Sequence, residues 1–327
     1  MADLNVGGQA VIEGVMMRSE DKIATAVRIP SGEIIVKTDP YRSLAKRYKP
    51  LNIPIIRGAI AFVEMLFIGI KTLNFSAEIA VSELDKQEAA EKGEAVPEKR
   101  KKQNSFLLAL TAIFALALGI GIFFFVPLAI TNLFDLKKEA LGFNLIAGAI
   151  RLTMFVAYVW LISQFGEFKR IFEYHGAEHK AIYAHEMGDE LIPEKVRHHT
   201  RFHPRCGTSF ILIVALAAIF IYGLSDTIYQ IVTGIPPALL TRFGLHFSLL
   251  PLVAGSSFEL LKLSGRTRDN AVTKILIKPG LWLQKITTQE PSLDQIEVGI
   301  AALEAAIGVT ETRLSARLVE HAEPGRD

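Results

Sequence analysis

Residues 106–134 read FLLALTAIFALALGIGIFFFVPLAITNLF, a run without a single Asp, Glu, Lys or Arg. A helix needs about 20 apolar residues to cross the hydrocarbon of a bilayer. This run is long enough, and Pro127 permits a kink within it. Three more segments follow the same logic. Phe143–Phe165 spans if Arg151 is tolerated, Thr208–Ser225 is a short span, and Leu245–Leu263 spans if Glu259 is tolerated. The expected fold is therefore mainly α, a polytopic membrane helical bundle of about four spans over residues 105–265.

Whole-chain composition agrees. Half of the 327 residues are hydrophobic and the net charge is only +2, so no global field points to nucleic acid. The single cysteine, Cys206, excludes an intrachain disulfide and fits a reducing compartment. Residues 1–20 contain Glu13 and lack a basic region before an apolar core. The expectation is that internal helices, not a cleaved signal peptide, direct insertion.

Orientation follows from Lys and Arg in the connections. Lys169, Arg170, Lys180, Lys195, Arg197, Arg201 and Arg205 fall between 166 and 207, while the connections 135–142 and 229–244 carry two and one. Lys99-Arg100-Lys101-Lys102 immediately precedes the first span. Positive residues remain cytoplasmic. The expectation is a multi-pass protein of the bacterial inner membrane, with loop 166–207 and both termini in the cytoplasm.

Around the bundle lie four further regions. Residues 1–50 are expected as a cytoplasmic β unit. Ile23, Thr25 and Val27 alternate with Ala24, Ala26 and Arg28, Pro30-Ser31-Gly32 punctuates, and Glu33 to Lys37 resumes an extended pattern. The stretch from Gly7 to Met17 could supply a third strand. Residues 51–84 predict one amphipathic helix, with Arg57, Glu64, Lys71, Glu78 and Asp85 at sevenfold spacing. Residues 85–104 read as a charged linker. Residues 266–327 read as a cytoplasmic helical tail. Leu293, Ile296, Ile300, Leu303 and Ile307 follow helical spacing within a last soluble helix over 280–308.

The chemistry concentrates in one place. Six of the eight histidines, His175, His179, His185, His198, His199 and His203, lie within loop 166–207, and Cys206 follows closely. Within His175-Gly176-Ala177-Glu178-His179, positions i and i+4 share a helical face. The two histidines could hold one divalent metal ion, zinc by ligand type. Glu178 lies next to the second histidine and could take a proton from an activated water. His-x-x-Glu-His is the inverted-zincin pattern, which needs a third ligand. His203, Cys206, Glu186 and Glu259 are the candidates, Glu259 because an acidic residue in a span faces the bundle interior or a cavity. A plain charge pair of Glu259 with Lys262 is the competing reading. Arg151 needs a partner in its span, for which Asp226 and Asp135 are available.

Several segments, in order, resemble one family. They are Gly7 through Arg18, His175 through Lys180, His203 through Phe210, Phe258-Glu259-Leu260, Pro279 through Gln284, and Thr287-Thr288-Gln289-Glu290-Pro291. Together they resemble the YqhQ-like family, a bacterial family of unknown function described as predicted metal-dependent enzymes. The resemblance implies that Gln9, Glu13 and Arg18 belong to the site, Glu13 in a catalytic capacity, with the β unit capping the histidine region.

The expected function is a metal-dependent membrane hydrolase acting on a peptide or lipid-linked substrate at the cytoplasmic face, in contact with membrane lipids. Two rivals stand beside it. One is a non-catalytic factor with a structural His/Cys site that docks a membrane-protein partner. The other is a small transporter using Arg151 and Glu259, disfavoured by the lack of an internal repeat.

Overall fold

The computed structural model describes residues 6–92, 105–133, 140–266 and 270–309. The basic cluster 99–102, Asp135 and the tail beyond 309 lie outside them. The chain is mainly helical with one N-terminal sheet. Its strands are β1 (Gly7–Val11), β2 (Gly14–Arg18), β3 (Lys22–Arg28) and β4 (Ile34–Pro40), antiparallel in sequence order. A short helix α1 (Leu44–Arg47) leads into the long α2 (Ile56–Lys92). Then come α3 (Ser105–Ile120), α4 (Val126–Leu133), α5 (Ala140–Ile162), α6 (Gly166–Met187), α7 (Pro193–Val196) and α8 (Gly207–Thr233). The last described elements are α9 (Leu239–Ser248), α10 (Leu250–Arg266), α11 (Ala271–Thr287) and α12 (Leu293–Ile307).

The Gly7–Met17 stretch forms two strands rather than one. Val11 pairs with Gly14 across a two-residue turn, and the second turn residue, Glu13, sits in the left-handed region at φ 53. The alternation expected for residues 23–28 sorts the sheet's two faces. Val15, Met17, Ala24 and Ala26 pack against α6 and α12 through Tyr174, Ala177, Ala181, Ile296 and Leu303. Val11, Met16, Ile23 and Val27 pack against Met65, Ile68, Phe75 and Ile79 of α2. The sheet is thus a middle layer between α2 and the α6–α12 pair, buried on both sides.

Among the described residues, three helical stretches are long and apolar enough to cross a membrane: Ile113–Thr131, Gly142–Ile162 and Gly207–Thr233. A fourth span results if α9 and the adjoining α10, bent by 46°, count as one. By length and composition these helices could cross a membrane, which suggests a membrane protein. Pro251 explains the bend: it has no N–H to donate back to the preceding turn. The first span keeps its direction through a π-helical segment at Gly121–Phe125, just before Pro127.

Two expectations for the soluble parts change. The region 166–207 is not mainly a loop, since its first half is the 22-residue helix α6. The last helix is two helices, because Pro291 interrupts the run and Ser292 starts α12 with a capping box to Gln295. The segment between them docks on α6, where the Gln289 N–H donates to the Phe172 carbonyl at 2.8 Å.

Candidate metal centre

On α6, one helical turn brings His175 and His179 together, their rings 4.4 Å apart. Backbone carbonyls fix both rings. His175 Nδ1 is 2.7 Å from the Thr287 carbonyl oxygen at the end of α11. His179 Nδ1 is 2.5 Å from the carbonyl oxygen of Arg201. A carbonyl only accepts, so each Nδ1 carries the proton and each Nε2 presents a lone pair. His175 Nε2 lies 3.2 Å from Cys206 Sγ, and His179 Nε2 is buried without a hydrogen-bond partner. The ligand atoms of His175, His179 and Cys206 fall within 4.8 Å of one another, a group able to hold a metal ion.

Cys206 belongs to this group because of where α8 begins. It is the N-cap of that helix, and its sulfur accepts from the Thr208 N–H at 3.3 Å. Burial pushes the thiol up, but His179 and the hydrogen bonds from Thr208 outweigh it and leave the group below the ordinary thiol value. That favours the thiolate, the form that ligates metal. His179 is held below the usual imidazole value, chiefly by burial and then by His175. A neutral ring is likewise the ligating form.

Glu178 stands beside the trio, with Oε2 4.0 Å from His175 Nε2. It is 5% exposed and that oxygen has no hydrogen-bond partner. Burial pushes its carboxyl up to about 8, against the opposing pull of His175. Strand β1 closes the site from above. A Cβ at Gly8 would stand 2.9 Å from the Glu178 carboxyl carbon and 2.6 Å from the Met16 carbonyl oxygen, so only glycine lets the strand pass there.

The other sequence candidates separate into distinct neighbourhoods. His203 stands next to the trio, its ring 5.7 Å from that of His179. Its Nε2 is 3.4 Å from Glu186, which also pairs with Arg205. Gln284 of α11 clamps the His203 backbone, accepting from its N–H and donating to its carbonyl, each at 2.8 Å. Glu259 is elsewhere, paired bidentately with Arg57 of α2, with the charge of Lys262 acting on it more weakly. Glu13 is tied to α6 by Arg170 and by the hydroxyl of Tyr174, the residue just before His175, at 3.3 Å. Gln9 packs against α2 at Gly69, and Arg18 donates to the Tyr41 hydroxyl at 3.1 Å. Of the N-terminal motif, the Gly8 backbone meets the carboxyl of Glu178. Arg151 donates to the Phe123 carbonyl at 2.9 Å rather than to Asp226. Asp226 instead holds Arg242 at 2.7 Å, His246 at 3.0 Å and Asn144 at 2.9 Å.

Sequence reading missed the supporting carbonyls of Thr287 and Arg201, and the Gln284 clamp. A backbone oxygen has no signature of its own in a sequence. The available signal was that Pro279–Gln284 and Thr287–Pro291 are motif-like although they hold no ligand-type cluster.

A model of a protein family described as "Protein of unknown function (DUF1385)" matches residues 53–309. The chain belongs to this family. It is also 35% identical over 300 residues to "Uncharacterized protein YqhQ" of Bacillus subtilis (strain 168), covering 90% of this chain and 89% of that protein. No solved structure matches. The matched region contains α6, the Cys206 N-cap and the Thr287–Gln289 segment, so every part of the trio and its supports lies within it. The strand over Glu178 precedes residue 53.

Proposed function

We propose that this DUF1385 chain is a metal-dependent membrane hydrolase whose ion is held by His175, His179 and Cys206. One observation carries the reading: two rings anchored through Nδ1 to carbonyls aim their Nε2 atoms at a buried thiol, next to a buried carboxyl with an unpartnered oxygen. Three protein ligands of His/Cys type suit zinc and leave one position open, the arrangement of catalytic rather than closed sites. When bound, such an ion polarises a carbonyl or phosphoryl group and acidifies water. The protein's own contribution is then Glu178, which accepts the water proton and returns it to the leaving group. A cation in the trio lowers the Glu178 carboxyl into the range where it works as a base.

The remaining residues position these. Thr287 and Arg201 orient the ligands, Gly8 allows β1 to exclude water above Glu178, and Glu13 with Arg170 fixes that hairpin to α6. The basic content of 166–207 supports a cytoplasmic orientation of the site in the bacterial inner membrane, with both termini on that side. A peptide or lipid-linked substrate at the membrane surface fits this placement.

The burial of His179, Glu178 and Cys206, each 5% exposed or less, favours a second reading, a structural metal clip in a membrane factor that docks a protein partner. Elemental analysis of detergent-purified protein separates the outcomes. About one ion per chain, lost in His175→Ala/His179→Ala and in Cys206→Ala, supports the trio. Glu178→Gln that keeps the ion but abolishes hydrolysis in a substrate screen supports catalysis, whereas wild-type function with Glu178→Gln supports the clip. Folded wild type without stoichiometric metal, purified free of chelator, refutes both.

A further inference from the structure

Helix α11 has two faces with different duties. Its inner face carries Gln284 and Thr287, which support the metal centre. It also lies across the first turn of the candidate span α8. Gln284 donates to Ser209 at 3.0 Å, and a Cβ at Gly280 would come within 3.1 Å of the Ser209 Cα. Ser209 is the third residue of that span, so α11 runs at the membrane–water boundary. Its outer face holds Ile275 and Trp282, 64% and 69% exposed. An exposed tryptophan at that depth is an interfacial anchor.

A groove opens on this outer face, lined by Phe202, Lys278, Pro279, Leu281, Trp282 and Lys285. Four linings are apolar and the other two are cationic, with no acidic residue. Lys278 and Lys285 are exposed and form no ion pair among the described residues. They stand two helical turns apart, about 10 Å along the axis, on either side of Leu281 and Trp282. Lysines flanking an apolar strip at an interface snorkel to the headgroup level while the strip stays in hydrocarbon.

We infer that this groove seats an anionic phospholipid, its acyl chain along Phe202, Leu281 and Trp282 and its phosphate between Lys278 and Lys285. The charge pattern selects the occupant. A zwitterionic lipid gains the apolar contact but not the net attraction to two unpaired cations, while an anionic one gains both. The seat requires nothing of the metal trio, so its test is independent of the hydrolase reading.

The test uses the full-length chain in mixed micelles containing phosphatidylglycerol or phosphatidylcholine, with retained lipid counted by native mass spectrometry and metal content followed on the same samples. Wild type is expected to hold about one phosphatidylglycerol in clear preference to phosphatidylcholine. Lys278→Gln/Lys285→Gln is expected to lower that affinity roughly 30-fold, at about fivefold per lysine, and Trp282→Ala to weaken both lipids. Competition by short-chain phosphatidylglycerol but not by inorganic phosphate identifies a lipid rather than a free anion. Equal retention of the two lipids by wild type, an unchanged preference in the lysine variant, or a dimer that forms through this face and excludes lipid overturns the inference.

Discussion

Gly176→Ala, inside the His-Gly-Ala-Glu-His motif, sets two magnitudes against each other. Helix propensity alone favours the change by about 1 kcal/mol, since Gly176 lies within α6 and has no positive φ. Packing opposes it. The new Cβ would overlap the Gln289 carbonyl oxygen and stand 3.3 Å from Pro291 Cδ. Relieving that overlap costs about 1–3 kcal/mol by overpacking. It also endangers the Gln289 to Phe172 hydrogen bond, about 1 kcal/mol more. The balance is a net loss of about 1–3 kcal/mol. Moving this segment pulls the Thr287 carbonyl from His175 Nδ1, and loss of such an orienting contact costs about 10–100-fold in metal affinity. Thermal melting in detergent reads the first effect and competition with a metal chelator the second. Gly166→Ala, where the added carbon meets open space, is the control and should not destabilise. A Gly176→Ala protein that melts higher than wild type and binds metal as tightly would refute the packing argument.

Two further outcomes follow from buried charge. The Glu178 carboxyl stands at about 8 when folded against 4.5 ordinarily, so the folded state holds its proton where the unfolded chain has released it. The metal-free protein should therefore lose stability as pH rises from about 4.5 to about 8, by at most about 5 kcal/mol; melting curves between pH 5 and 9 should show the decline in wild type and not in Glu178→Gln, and parallel curves would contradict it. In the bundle, Asp226→Asn removes the charge shared by Arg242 and His246. It should cost about 3–5 kcal/mol by stranding a buried cation, and a melting temperature equal to wild type would show the pairing to be unimportant.

Sequence revealed the architecture wherever one physical rule dominated. Apolar length alone located the helices that could span a membrane. The strand alternation at Ile23–Arg28 was legible because the sheet is buried on both sides by surfaces of different shape: large residues meet α2, and alanines let α6 and α12 approach. Reading failed where a boundary depended on tertiary contact. The α11–α12 break at Thr288–Ser292 carried a proline, yet the hydrophobic period continues across it. Lys86 to Lys92 are charged enough to read as linker but extend α2, supported in part by the Lys86–Glu83 pair at 2.6 Å.

The candidate site divides along the same line. The i, i+4 spacing of His175 and His179 is a local property, so the sequence could name both. The third ligand is a long-range property. Glu259 had the stronger sequence argument, an acid in an apolar helix with only Lys262 as a nearby partner, but Arg57 from the far side of the chain pairs with it. Cys206 had the weaker one, because a buried cysteine is ordinarily just a small apolar residue. What distinguishes it is its place as the N-cap of α8, where the Thr208 N–H reaches the sulfur and His179 and Thr208 hold the thiol below its ordinary value. Whether a cysteine is filler or candidate ligand is thus decided by the helix that begins beside it. The same helix start carries Ser209, on which α11 rests, so one helix boundary fixes both the thiol and the carbonyl that aims His175 at it.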